Sequence, residues 1–364
     1  MSDLRIVSFL PSATEMVCAL GLGDQLVGRS HECDWPPEVR AKPAVVRPAI
    51  PLEGFSLSEI DAVVSERIRS RESLYQVDEA LLRELAPDLI LTQDLCQVCA
   101  PSGNEVAQVL RALPKKPQIL WLTPRSLDGI LENVRQIAVA TNRESLAEQW
   151  IATWRARLGQ TAGVTRSLPR PRVFCMEWID PVYCGGHWLP EMVELAGGVD
   201  AFGRKDSDSV RIAWADVLEW APEILIISPC GFHLDRAVQL SQQLATMPEW
   251  LQLPAAQSER VFAVDADSYF ARPGPRIADG VELLAHLIHP TAFSWSGPTL
   301  AYSQLKTKIC EACHQPFLCG GQRCWCAEIP VSSGALRCLD DNYRDCLCPN
   351  CLKSIAEPES IGTK

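Results

Sequence analysis

Residues 126–168 constrain the fold of this chain more than any other segment. They form a strongly helical stretch with no strand signal. Leu127, Ile130, Leu131, Val134 and Ile137 fall on one helical face, and Leu146, Trp150, Trp154 and Leu158 then recur every four residues. Pro169 and Pro171 end the pattern. On either side, short apolar runs alternate with helical patterns. Before it, strands are predicted over residues 4–10, 26–28, 88–92 and 118–122, with a helix over 77–85. After it, strands are predicted over 173–176, 224–228 and 261–264, with helices over 192–196, 213–220 and 277–288. Ser12-Ala-Thr-Glu15 reads as a capping box at the first helix start, and Gly21 and Gly23 stop that helix. The alternation implies an α/β chain with two parallel-sheet lobes, one on each side of a long connecting helix. The expected organisation is a lobe over 1–125, a connecting segment over 126–168 and a second lobe over 169–290. A linker over 291–305, a cysteine-rich metal-binding domain over 306–352 and a tail over 353–364 complete it.

Charge and cysteine usage narrow the function. The 364 residues carry 34 basic and 45 acidic side chains, a net charge of −11. That balance argues against nucleic acid as the main partner. The apolar run at residues 6–10 is too short for a signal peptide core, and nothing approaches 18 consecutive apolar residues. A cytoplasmic location without membrane insertion is therefore expected. Sixteen cysteines in such a compartment read as metal ligands or reactive thiols. Nine of them lie between Cys310 and Cys351, and seven are scattered over the first 230 residues.

In parallel α/β sheets, ligands sit beyond the carboxyl ends of the strands. Trp35, Trp178, Tyr183, Trp188, Tyr269 and Phe270 follow predicted strands and can cover the faces of a large planar ligand. The alternative is that several of these aromatics are core. His187, Asp267, Arg272 and Arg276 fall along the same edge. So do His31, Cys33, Cys96, Cys99 and Cys230, with Cys96 and Cys99 as a C-x2-C pair. Thiolate and imidazole groups suit zinc, iron or an iron–sulfur cluster, so convergence of at least three of these five groups on one ion is an expectation. Separate structural cysteines are the alternative.

Three passages resemble the helical-backbone class of substrate-binding proteins that serves vitamin B12 and iron chelates. They are Arg5-Ile-Val-Ser-Phe-Leu-Pro-Ser-Ala-Thr-Glu15 with Ala19-Leu-Gly21, then Ala86-Pro-Asp-Leu-Ile-Leu91, then Arg172-Val-Phe174 through Gly185-Gly186 to Leu195-Ala-Gly-Gly198. The resemblance covers residues 1–290. It implies a ligand held between the lobes, little hinge motion and no catalysis. It also implies that positions around Trp178 and residues 267–276 meet the ligand. The family normally works outside the cytoplasmic membrane and feeds a transporter, so the missing export signal counts against a transporter partner.

The C-terminal cysteines have zinc-site spacing. Cys310-Glu-Ala-Cys313 opens the segment, Cys324-Trp-Cys326 lies at its centre, and Cys346-Leu-Cys348-Pro-Asn-Cys351 closes it. Two C-x2-C pairs can give four thiolates to one tetrahedral ion. Cys310, Cys313, Cys348 and Cys351 are the first candidates, with Cys324 and Cys326 next. The segment has few apolar residues, so a bound metal is expected to supply its folding energy. It resembles the small cysteine-rich CWC domain. The resulting expectation is a cytosolic binding protein for a corrinoid or related metal chelate. The rival is a metal- or Fe–S-dependent enzyme built from the cleft cysteines and histidines on the same scaffold.

Overall fold

The structure is a computed structural model that describes residues 4–52, 54–70, 72–94, 113–321 and 324–356. In the first lobe the chain runs β1 (Ile6–Ser8), α1 (Pro11–Ala19), β2 (Leu26–Ser30), β3 (Ala44–Pro48), α2 (Leu57–Ser70), β4 (Tyr75–Val77), α3 (Glu79–Leu85), β5 (Leu89–Thr92) and β6 (Gln118–Trp121). The strand order is β4-β3-β2-β1-β5-β6, with only β3 and β4 antiparallel. Every residue of β1 and β5 is buried, as a strand covered on both faces by helices requires.

The connection is a helical hairpin rather than one continuous helix. It comprises α4 (Leu127–Thr141) and α5 (Glu144–Thr165). Asn142 adopts a left-handed conformation (φ 55°) at the end of α4, a position that tolerates asparagine. Ion pairs between Arg135 and Glu148, and between Asp128 and Arg155, bind the two helices antiparallel. The long helix that links the lobes is α5, about 33 Å at 1.5 Å per residue.

The second lobe contains β7 (Val173–Ile179), β8 (Val182–Cys184), β9 (Gly186–His187), α6 (Leu189–Leu195), β10 (Arg204–Lys205), α7 (Trp214–Trp220), β11 (Ile224–Ile227), α8 (Leu234–Leu240), α9 (Pro254–Gln257), β12 (Val261–Val264), α10 (Ala266–Tyr269) and α11 (Ile277–Ile288). Helix α11 returns to α5. Trp154 donates its indole N–H to the Pro275 carbonyl at 3.1 Å, and Arg157 pairs with Asp279 and Glu282. The close approach of α11 needs a glycine, because a Cβ at Gly280 would run into the Tyr269 carbonyl oxygen.

The cysteine-rich segment is built onto this lobe. Strands β13 (Tyr302–Ile309) and β14 (Pro316–Cys319) extend the sheet, whose order is β14-β13-β12-β11-β7-β8. Strand β13 runs antiparallel to β12, with Val264 opposite Tyr302 and Val261 opposite Leu305. It thus begins inside the segment read as a linker, because Tyr302-Ser-Gln-Leu305 alternates and sends Ser303 and Leu305 into the interior. Leu305 and Leu318 join the second-lobe core, and the Gln242 side chain closes the β14 edge with two hydrogen bonds to Leu318. Helices α12 (Ser333–Asn342) and α13 (Pro349–Ala356) complete the segment. Among the described residues, no helix is long and apolar enough to cross a membrane.

Candidate functional site

The strand ends of both lobes face each other and are tied by charge. From the first lobe, α1 presents Glu15 and the loop after β2 presents Glu32 and Asp34. From the second lobe come His233, Asp265, Asp267, Arg272 and Arg276. Arg276 grips Glu15 with two hydrogen bonds, at 2.6 and 3.0 Å. Arg272 donates to Asp34 at 2.5 Å and to Asp267 at 3.2 Å. His233 lies between Asp34 (3.1 Å) and Asp265 (3.0 Å). Farther along, Asp61 of α2 accepts from Arg211 at 2.7 Å and from the Tyr183 hydroxyl at 3.2 Å. Trp35, 46% exposed, stacks on the Arg276 guanidinium at 5.3 Å.

These partners set the protonation states. Burial would raise the Asp34 carboxyl, but hydrogen bonds from His233 and Arg272 outweigh it and hold the group below its ordinary range. Hydrogen bonds to Asp265 and Asp34 push His233 up to about 10, so the imidazole is a cation at neutral pH. Glu32 goes the other way, pushed to about 7 by burial and by the charge of Asp267. Burial also raises Glu15 and Asp267 against the pull of their arginine partners. Between these groups lies a cavity of about 400 Å³, lined by Arg29, His31, Glu32, Asp34, His233 and Arg272 among others. It can hold a small polar group or the polar rim of a larger ligand.

The sequence-predicted ligand positions divide. Asp267, Arg272 and Arg276 are in the charged bridge, and Trp35 borders it. Tyr183 is spent on Asp61. Trp178 packs at a tilt against Phe232 (5.8 Å between rings), and His187 shares a hydrogen bond with Asp208 at 2.9 Å. Trp188, Tyr269 and Phe270 are core residues rather than cleft walls, exposed by only 6, 8 and 3%. Trp188 donates its indole N–H to the Phe270 carbonyl, which satisfies its one polar atom inside the core. Of the five groups expected to form a cleft metal centre, the three among the described residues, His31, Cys33 and Cys230, do not gather as a ligand group. His31 and Cys33 line the cavity, but the Cys33 thiol is buried against the Thr14 hydroxyl and raised to about 12 by burial. Cys230 is exposed and, among the described residues, takes no part in a cluster of metal-ligating side chains. Cys96 and Cys99 lie outside the described residues. Glu32, Asp34 and His233 belong to this site although the sequence pattern does not single them out. The capping-box pattern casts Glu15 as a capping residue. Instead, α1 starts at Pro11 after Leu10 with no side-chain cap, and Glu15 turns inward to Arg276.

In the C-terminal segment, Cys310, Cys313, Cys348 and Cys351 bring their sulfur atoms within 4.8 Å of one another. Among the described residues this is the only such group of three or more potential ligands. Burial raises the Cys310 thiol, but backbone N–H groups of Cys348, Cys313 and Ala312 outweigh it and hold it low, a state suited to metal binding. Cys324 and Cys326 stand outside this group.

The two-lobed plan with its helical link defines a binding-protein fold with its candidate site between the lobes. The chain belongs to the periplasmic binding protein family, which it matches over residues 6–268, and residues 310–353 match the cysteine-rich CWC family. It is 26% identical over 283 residues to a vitamin B12-binding protein of Vibrio cholerae, covering 76% of this chain and 86% of that one. An ABC transporter substrate-binding lipoprotein of Bacillus subtilis is 25% identical, with 79% and 81% covered. The solved periplasmic vitamin B12-binding protein of Vibrio cholerae superposes with a TM-score of 0.53 at 25% identity, covering 78% of this chain and 96% of that one. A periplasmic heme-binding protein of Pseudomonas aeruginosa shares the fold with a TM-score of 0.63 at 19% identity, covering 84% and 99%. Two of these relatives are described as periplasmic, whereas the sequence reading expects this chain in the cytoplasm.

Proposed function

We propose that this protein binds a corrinoid or a related metal chelate between its lobes. The observation that carries the reading is the interlobe cavity of about 400 Å³ at the strand ends, in a chain 26% identical to a vitamin B12-binding protein over most of both lengths. That volume is at the lower end for ligand pockets. A whole corrinoid therefore extends beyond the cavity, with its amide-bearing rim on the charged groups and one face toward Trp35. Glu32, largely protonated below pH 7, donates a hydrogen bond to an amide carbonyl, and Arg272 supplies a cation beside it. Less supports the enzyme reading, because among the described residues His31, Cys33 and Cys230 do not gather as metal ligands.

The test is equilibrium binding of vitamin B12 to the full chain, followed by its visible absorption. Saturable one-to-one binding is expected, weakened at least about ten-fold in R272A, since a charged hydrogen-bond partner contributes about 1.5–3 kcal/mol. No binding at millimolar ligand, or equal affinity in R272A, defeats the proposal.

A further inference from the structure

The loop between β2 and β3, residues 31–43, brings Glu32, Asp34 and Arg40 to the interlobe cavity and Trp35 to its border. Parallel neighbours such as β2 and β3 are usually joined by an α-helix, whose carbonyls find donors within the helix. This connection has only a short 3₁₀ turn, Pro37–Ala41. Its backbone carbonyls must find donors elsewhere, and one side chain supplies several of them. Arg29, in β2, donates from Nε to the Lys42 carbonyl at 3.0 Å. Its Nη1 donates to the carbonyls of Ser30 and His31 at 2.9 and 3.2 Å, and its Nη2 to that of Arg40 at 3.0 Å.

We propose that Arg29 is a positioning residue for the ligand site: its guanidinium ties the two ends of the 31–43 loop together and so sets Asp34 against Arg272 and His233 of the other lobe. The proposal rests on the interlobe cavity being the ligand site. Arg29 borders that cavity, and the other role open to it there is a cation for an anionic group of the ligand. The geometry speaks against that role, because all three guanidinium nitrogens are bonded to the chain's own carbonyls.

The planar fork of arginine suits this task. Its three nitrogens reach both ends of the loop at once, whereas an ammonium offers its donors from a single point. The β2–β3 ladder fixes where the loop leaves and re-enters the sheet, with Arg29 N–H on the Pro43 carbonyl and His31 N–H on that of Val46, both at 3.0 Å. Within the loop, Val39 is buried in the core and the Cys33 thiol accepts from the Thr14 hydroxyl at 3.0 Å. The Arg29 side chain adds the carbonyls of Arg40 and Lys42 and thereby fixes the loop's return. Pro36 and Pro37 restrict φ at two successive positions, so that restraint is carried back toward Asp34. Asp34 accepts from Arg272 at 2.5 Å and from His233 at 3.1 Å. A displacement of about 1 Å takes the longer of these bonds out of range.

The test compares R29K with wild type on the full chain by NMR titration of the His233 imidazole and by equilibrium binding of vitamin B12. Lysine keeps the charge and loses the span. His233 faces Asp34 across the lobes and Asp265 and Asp267 on its own side, so its midpoint reports where Asp34 sits. In R29K the midpoint should fall by at least about one pH unit, toward its value in D34N, and vitamin B12 should bind at least about ten-fold more weakly. A side chain that only stabilises the fold lowers the melting temperature and leaves the midpoint alone, so an unchanged midpoint in folded R29K overturns the proposal. A lower midpoint with wild-type affinity overturns it too, because the loop then moves without consequence for the ligand. If wild type binds no vitamin B12, the ligand reading falls, while the His233 midpoint still decides whether Arg29 positions Asp34. Should R29K fail to fold, R29Q decides by the same two readings. If neither variant folds, Arg29 belongs to the fold as a whole, which overturns the proposal equally.

Discussion

Replacing Arg276 by methionine isolates the energetics of the bridge between the lobes. The Glu15 carboxylate is 3% exposed and the Arg276 side chain 12%, and the two are joined by hydrogen bonds of 2.6 and 3.0 Å. Methionine keeps the apolar stem and removes the charge. Breaking one side of a buried pair leaves the other charge without compensation, at a cost of about 3–5 kcal/mol. Loss of the Trp35 stacking adds about 0.5–1 kcal/mol. Glu15 is already raised by burial, and without its partner it rises further. The deficit must therefore shrink in acid, where the carboxyl takes up a proton. Urea unfolding followed by far-UV circular dichroism, at pH 7.5 and pH 5, measures both effects. R276M should lose several kcal/mol at pH 7.5 and visibly less at pH 5. E15Q/R276M should recover most of the loss, because no buried charge remains. A loss below about 1 kcal/mol, or one that E15Q deepens rather than relieves, would refute the reasoning.

Two further outcomes follow from the same geometry. Burial and Asp267 raise Glu32 from 4.5 to about 7, so the folded chain holds a proton that the unfolded chain releases. Its contribution is complete below pH 4.5 and is lost as pH rises through 7, so E32Q should flatten the fall in melting temperature across that window. An unchanged profile would assign the slope to other groups. A Cβ at Gly280 would meet the Tyr269 carbonyl oxygen and lie 2.8 Å from the Met192 methyl. G280A should cost about 1–3 kcal/mol by overpacking, and a wild-type melting temperature would mean that α11 has room to shift.

The helical hairpin and the C-terminal segment show how far local pattern reaches. The 126–168 stretch is helical as read, but the turn at Asn142 is signalled only by a residue that tolerates a left-handed backbone, inside an otherwise unbroken periodicity. In the C-terminal segment the C-x2-C spacing alone selects Cys310, Cys313, Cys348 and Cys351, because Cys310 and Cys313 share one tight turn and Cys348 and Cys351 span the first turn of α13. Strand β13 was hidden because a single edge strand of alternating polarity gains its meaning from β12, some forty residues earlier.

The sequence by itself determined the two lobes, the buried parallel strands, the helical link and the four-cysteine cluster. These rest on hydrophobic period and on ligand spacing within a few residues. Only the tertiary structure decided that Glu15 pairs with Arg276, 261 residues away, rather than capping its helix, and that Asp34 meets Arg272 across 238. It also decided that Trp188, Tyr269 and Phe270 face the core while Trp35 faces solvent. Such pairings depend on which strand ends the folded sheets bring together, and no local periodicity encodes the partner of a charge so distant in the chain.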